Sequence, residues 1–327
     1  MPEPRRRPEP APLAPDLAAR LTAAGLDPAA VAALARAALA EDLDGGTDIT
    51  TCATVAPGTT GVAHLVARSA GVVAGLPVAE AVLRTAALLG PEAGTAAMTV
   101  RPLAADGDGV SAGQVLLTVH GPVATILTAE RTALNLLSHL SGVATLTRRW
   151  VQAVAGTGAQ VRDTRKTLPG LRALEKYAVR CGGGVNHRMS LADAALIKDN
   201  HVAAAGSVAA AFAAVTARAG GAAVQVECDT LDQVAEALAA GARFILLDNF
   251  AVGELAAAVR LAAGRARLEA SGGLTLATAP AVARTGVDYL AVGALTHSAP
   301  ALDLALDLVT AADDQERSDG ERHAADD

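Results

Sequence analysis

The chain has 327 residues, 51% hydrophobic and 19% charged, enough for one large domain and a smaller one. A formal net charge of −7 with 2% aromatic residues excludes a basic, base-stacking nucleic-acid binder. No apolar run approaches the roughly 20 residues of a membrane span, and the three cysteines form no CxxC pair, so a soluble cytoplasmic protein without a disulfide framework is expected.

In chain order, MPEPRRRPEPAPLAP is rich in Pro, Arg and Glu, has no apolar stretch of signal-peptide type, and reads as a disordered extension. A helix is predicted from Asp27-Pro28 to about Leu39, with Asp27 as N-cap and Pro28 at the first helical position. EDLDGGTDITT then reads as a loop whose acids cap or face solvent. TGVAHLVARSAGVVAG predicts strands, VAEAVLRTAALLG a helix, and DGDGVSAGQVLLTVHG a turn followed by a strand. This last stretch has the style of a hammerhead or biotinyl-carrier module, but no lysine there could carry a swinging arm. ILTAERTALNLLSHLSGVATLTRRWVQAV has helical apolar spacing. His64, His120 and His139 lie in apolar surroundings and read as structural.

From about residue 159 the rhythm changes. AQVRDT, AALIKDN, AVQVECDT, ARFILLDN, ARLEASGG and VDYLAVGA are short apolar runs separated by Ala- and Leu-rich helical stretches. Alternating βα units with buried strands predict a parallel sheet wound as an irregular or incomplete barrel, because six units are fewer than the eight of a closed one. Asp163, Lys198, Glu227, Asp248, Ser271 and Gly293 all stand at the C-terminal ends of these runs, the face on which α/β proteins build their sites.

The chain has only three lysines, Lys166, Lys176 and Lys198, against 27 Lys and Arg together. A compact ammonium kept against that arginine bias points to a position an arginine cannot fill; Lys176, within LEKYAVR, reads as a helix-surface residue. Arg165, Lys166, His187, Arg188, Lys198 and His201 would repel one another unless an anion lies among them. Glu227 and Asp248, at the ends of neighbouring runs, suit a loosely held Mg²⁺. The glycine turns SGG (271–273) and VGA (292–294) suit a phosphate. GGG at 182–184 lacks the following GK[ST] of a Walker loop, and Cys181 and Cys228 read as small buried residues.

ERTALNLLSHLSGVAT, DTRKTLPGLRALEKYAVRCGGGVNHR, LADAALIKDNH, VQVEC, ILLDNF, LEASGG and VDYLAVGALTHS together resemble the quinolinate phosphoribosyltransferase family, over about Leu26 to Leu308. The resemblance implies an N-terminal α/β sandwich domain, hammerhead-like, at residues 26–138 and an incomplete, TIM-like parallel α/β barrel at 139–297. Residues 1–25 are then a disordered extension, a helix at about 298–312 packs back on the first domain, and 313–327 form a disordered acidic tail. The implied reaction joins quinolinate to 5-phosphoribosyl diphosphate with Mg²⁺ and yields nicotinate mononucleotide, CO₂ and diphosphate. The resemblance implies that Arg131, reaching in from a second subunit, and Thr164, Arg165, Lys166, His187, Arg188 and Lys198 take quinolinate. Lys166, Glu227 and Asp248 are the catalytic set, the two acids also serving the ribose hydroxyls and the metal. Ser271, Gly272, Gly273, Val292, Gly293 and Ala294 take the 5′-phosphate, and a homodimer with shared sites is expected. Two other readings share features: a molybdate-transport-associated relative with a different acceptor, and a Schiff-base barrel lyase using Lys166 or Lys198. A scaffold that only binds phosphate is a third, against which Glu227 and Asp248 count.

Overall fold

The computed structural model describes residues 13–89 and 98–309. It opens with α1 (Pro15–Ala23), α2 (Pro28–Leu43), α3 (Ile49–Thr54), β1 (Thr60–Ala67), β2 (Gly71–Val72) and α4 (Leu76–Leu89). There follow β3 (Thr99–Pro102), β4 (Gly109–Val110), β5 (Val115–Pro122) and the long α5 (Val123–Ala153). The βα region comprises β6 (Gln160–Arg162), α6 (Arg172–Cys181), β7 (Ala195–Ile197), α7 (Asp199–Ala205), α8 (Val208–Thr216), β8 (Val224–Cys228) and α9 (Leu231–Ala239). It continues through β9 (Phe244–Asp248), α10 (Val252–Ala262), β10 (Arg267–Ser271), α11 (Ala279–Ala283), β11 (Tyr289–Ala291) and α12 (Ala294–His297), before β12 (Leu304–Val309).

Two compact units result. The first ends at Gly142 and takes back the chain from Ala301; the second is Val143–Pro300. The boundaries drawn from sequence at 138 and 297 fall slightly short of these, because the first division lies inside α5, where one unbroken helix leaves no linker to mark it.

In the first unit, an antiparallel sheet of order β12-β1-β5-β3 packs on helices. Its core gathers Leu39, Leu65, Leu83, Leu117, Ile126 and Leu137, each at most 1% exposed. Asp27 caps α2 by accepting from Ala29 N, and Asp48 caps α3 by accepting from Thr51 N, so part of the predicted loop after residue 40 is helical. Two expectations fail here. Residues 15–23 are a helix rather than disordered extension, since Leu17 and Leu21, one turn apart, are both fully buried and α1 packs on α4. Each such burial contributes about 1.5–3 kcal/mol. The predicted helix at 298–312 is instead strand β12 over Leu304–Val309, paired antiparallel to β1 from Val62↔Val309 to Ala67↔Leu304. Residues 1–12 and 313–327 lie outside the described residues.

No single described helix is long and apolar enough to cross a membrane. The pair α1 and α2 passes on length and composition together, but it is bent by 111° and buries Leu17, Leu21, Val31 and Leu39 within the unit.

The second unit is a parallel sheet of order β6-β11-β10-β9-β8-β7 wrapped by helices. The two end strands, β6 and β7, do not pair with each other, so the barrel stays open at that seam. Every neighbouring pair is parallel, and the consecutive strands from β7 to β11 are joined by helical crossovers as the βα rhythm predicts, while β6 closes onto β11 from the start of the segment. Alternation sorts the strands: Val226, Cys228, Ile245, Leu247, Leu268, Ala270 and Leu290 are buried on one face, while Glu227, Asp248, Glu269 and Ser271 share the other.

Candidate active site

The inward face opens at the C-terminal strand ends into a cavity of about 540 Å³. Its lining includes Thr164, Arg165, Lys166, His187, Arg188, Lys198, Glu227, Asp248, Ser271, Gly272, Gly273, Val292, Gly293 and Ala294. Glu269 and His297 also line it. Arg131 is exposed on α5 and is not a lining residue.

Lys166 lies just beyond β6. Its backbone is pinned at both groups, the N–H donating to Thr164 Oγ1 at 3.0 Å and the carbonyl accepting from Thr296 Oγ1 at 2.8 Å. A Cβ on Gly293 would meet Lys166 Cδ at 3.0 Å, so glycine lets the stem lie against that turn. Across the cavity, Lys198 Nζ donates to Glu227 Oε2 at 2.5 Å. The N-cap position of Lys198 is fixed by His201, whose Nδ1 accepts from the Lys198 N–H at 2.9 Å. His201 therefore serves the start of α7 and is not a lining residue.

Behind the cavity wall sits an ion pair. Lys176 is fully buried, as is Asp163, and its ammonium donates to Asp163 Oδ1 and to the His187 carbonyl, the latter at 2.9 Å. Asp163 also accepts from Asn186 Nδ2 at 2.6 Å and the His187 N–H at 2.8 Å. The surface reading of Lys176 is thus overturned: it faces inward from α6 and braces the segment carrying His187 and Arg188. Burial pushes the Asp163 carboxyl up and the Lys176 ammonium down, and their mutual attraction opposes both shifts.

His187 holds a defined tautomer. Its Nδ1 accepts from the Arg188 N–H at 2.7 Å, which leaves Nε2 to donate to Gln225 Oε1 at 2.9 Å. Burial first, then the Arg162 guanidinium, lowers its pKa to about 4. The ring is therefore neutral and committed to protein partners on both nitrogens, and it positions Arg188. Arg188 Nη1 donates to the Ala194 carbonyl at 2.8 Å, while burial and neighbouring Arg165 lower its pKa. Arg165 Nε is buried without a hydrogen-bond partner, a donor in want of an acceptor at a cavity already lined by four cationic side chains.

On the facing strands, Asp248 Oδ2 accepts from Asn249 Nδ2 at 2.8 Å. Asn249 is in the left-handed region at φ 58°, and a Cβ on Gly272 would lie 2.1 Å from its Oδ1. With φ 85° as well, Gly272 admits no other residue without displacing Asn249. Among the described residues no group of three or more His, Cys, Asp or Glu could hold a metal ion alone. Glu227 and Asp248, on paired strands β8 and β9, are two hard oxygen donors, which fits a hydrated Mg²⁺ carried largely by a phosphorylated substrate.

Sequence reasoning missed Glu269, Arg162 and Gln225. Arg162 Nη1 donates to Glu269 Oε2 at 2.6 Å, stacks its guanidinium 4.5 Å from the Tyr289 ring centroid, and adjoins Gln225, whose Nε2 donates to the same oxygen at 3.2 Å. The available signal was a polar residue inside each apolar run, in QVR, VQVEC and RLEAS, at an inward position.

The profile for the N-terminal domain of quinolinate phosphoribosyl transferase matches residues 48–141, and that for its C-terminal domain matches 143–307. This chain belongs to the quinolinate phosphoribosyltransferase family. It is 54% identical over 276 residues to the nicotinate-nucleotide pyrophosphorylase (carboxylating) of Mycobacterium leprae, covering 84% of this chain and 95% of that protein. Against quinolinate phosphoribosyltransferase (decarboxylating) 1 of Nicotiana glauca, identity is 39% over 295 residues, covering 84% and 81%. Among solved structures, NadC from Streptococcus pyogenes aligns with TM-score 0.80 and 40% identity, covering 87% of this chain and 99% of that one. The nicotinate-nucleotide pyrophosphorylase of Francisella tularensis gives 0.79 and 37%, covering 86% and 96%. Family membership accounts for the joint presence of an antiparallel α/β unit and an open parallel barrel in one chain.

Proposed function

We infer that this chain joins quinolinate to 5-phosphoribosyl diphosphate, giving nicotinate mononucleotide, CO₂ and diphosphate, a step of de novo NAD biosynthesis. The observation that carries the reading is the partnerless buried Nε of Arg165 beside Lys166, Arg188 and Lys198, opposite the acids Glu227 and Asp248. Such a site wants a multiply anionic ligand with planar carboxylates on one side and hydroxyls or a metal on the other.

In this account Arg165, Arg188 and Lys198 bind the two quinolinate carboxylates, with Thr164 beside them and His187 holding Arg188 in place. Lys166 lies between quinolinate and the phosphoribosyl group. Ser271, Gly272, Gly273 and the 292–294 turn take the 5′-phosphate through backbone N–H groups. Glu227 and Asp248 hold the ribose hydroxyls; they would also hold the Mg²⁺, which when bound would supply positive charge beside the diphosphate. Glu227 gives up its Lys198 partner as a substrate carboxylate takes that ammonium. As the C1–diphosphate bond breaks, the two carboxylates stabilise the oxocarbenium-like ribose. The ring nitrogen attacks C1, and the positive charge of the resulting pyridinium stabilises the electron pair left on C2 as the 2-carboxylate leaves as CO₂. No protein nucleophile is required.

The same reading includes a homodimer in which exposed Arg131 of one chain reaches the cavity of the other. It also includes cytoplasmic localisation, supported by the free thiols Cys52, Cys181 and Cys228. The test is purified protein with quinolinate, phosphoribosyl diphosphate and Mg²⁺. Nicotinate mononucleotide with CO₂ is the expected product, and exclusive use of another acceptor would overturn the reading.

A further inference from the structure

Glu269 lines the cavity, is 1% exposed, and has no part in the roles described above. It lies two residues before Ser271 on β10, facing the same side of the sheet. Its two carboxyl oxygens are in unlike situations. Oε2 accepts twice, from Arg162 Nη1 at 2.6 Å and Gln225 Nε2 at 3.2 Å. Oε1 is buried without a hydrogen-bond partner; His187 Nε2, 3.4 Å away, is already committed to Gln225 Oε1.

That asymmetry is the pattern of a neutral acid, in which the carbonyl oxygen accepts and the hydroxyl oxygen keeps a proton for another acceptor. Burial favours the neutral form, and Arg162 opposes it. A bound substrate tips the balance. Quinolinate presents two carboxylates and a ring-nitrogen lone pair, all acceptors. An ionised Glu269 would meet it with like charge and nothing to donate, whereas a protonated one supplies the matching donor.

We propose that Glu269 carries a proton on Oε1 and delivers it to C2 of the pyridinium ring as the 2-carboxylate departs, an inference that rests on the quinolinate reading. The C2–carboxylate bond breaks and the carboxylate leaves as CO₂, while its electron pair stays on C2 beside the cationic ring nitrogen. C2 then bonds to the Oε1 proton, and Glu269 becomes a carboxylate held by Arg162 and Gln225. Product release leaves Glu269 ionised, and binding of the next quinolinate draws its proton from water.

Glu269→Gln keeps the shape and a donor but has no transferable proton. Calorimetry of quinolinate binding at pH 8, in buffers of different ionisation enthalpy, reads proton uptake directly. The wild type is expected to take up protons on binding, and the Gln variant to take up none while binding quinolinate within about threefold. Its turnover should fall about 10²-fold, the lower end of general acid–base contributions. Formate should partly restore turnover to Glu269→Ala. The proposal is overturned if the Gln variant turns over within about threefold of wild type, or if its proton uptake is unchanged. It is equally overturned if quinolinate affinity falls in step with turnover, as a prop for His187 would give. A wild-type protein that forms no nicotinate mononucleotide overturns the quinolinate reading instead.

Discussion

Lys176 and Lys198 each meet a carboxylate near the C-terminal end of a barrel strand, yet the two pairs live in different solvents. The side chains of Lys176 and Asp163 are 0% exposed, whereas those of Lys198 and Glu227 are 46% and 12% exposed. In the buried pair, every partner is protein: Asn186 and the His187 N–H complete the Asp163 shell. In the open pair, water and an incoming anion compete for the same ammonium. Burial thus makes one lysine part of the scaffold and leaves the other free to change partners, although the residue types are the same.

Removing one member of the buried pair should therefore do the most damage to the fold. Lys176→Met leaves Asp163 charged and uncompensated, with an expected loss of about 3–5 kcal/mol in urea unfolding. A loss under about 1 kcal/mol would mean that the pair is not the brace described. Lys166→Ala should show the opposite profile. Lys166 is exposed at the cavity, so the thermal midpoint should stay within a few degrees while turnover falls about 10³-fold, the scale of a lost electrostatic stabiliser. Near-normal turnover would remove Lys166 from the mechanism.

The barrel was legible because its strands announce themselves by short apolar runs ending in charge, and DTRKT and IKDNH stand at those ends. What stayed hidden depends on partners distant in sequence. Leu302, Leu304, Leu306 and Leu308 alternate as a strand does, but 302 and 306 are also one helical turn apart, and only pairing with β1 decides between them. Lys176 sits on a helix with charged neighbours, and nothing local reveals that α6 turns it toward Asp163. Pro15 at the first helical position and the Leu17–Leu21 spacing were sufficient signals for α1, masked by the Pro- and Arg-rich residues before them.

The buried side of the comparison has a pH signature. His187 has a folded pKa of about 4 against an ordinary value of 6.5, so between these values the unfolded chain binds the extra proton. Stability from this group is complete above pH 6.5 and is lost as pH falls toward 4, by about 3 kcal/mol in all. Unfolding free energies measured across that window should show the slope, and His187→Gln should flatten it. An unchanged slope would show that the ring is not held neutral. The smallest stability effect belongs to the open pair: Lys198→Met should cost at most about 1 kcal/mol. The KM for quinolinate should nevertheless rise about tenfold or more, since a charged hydrogen bond to substrate is lost. A large stability loss there would erase the distinction between the two lysines.

The central claim, that this cavity couples quinolinate binding to loss of its 2-carboxylate, is tested most directly with quinolinate labelled at that carboxyl. The account predicts labelled CO₂ and nicotinate mononucleotide in equal amounts, both requiring phosphoribosyl diphosphate. Label retained in the nucleotide product, or product from nicotinate and none from quinolinate, would contradict it.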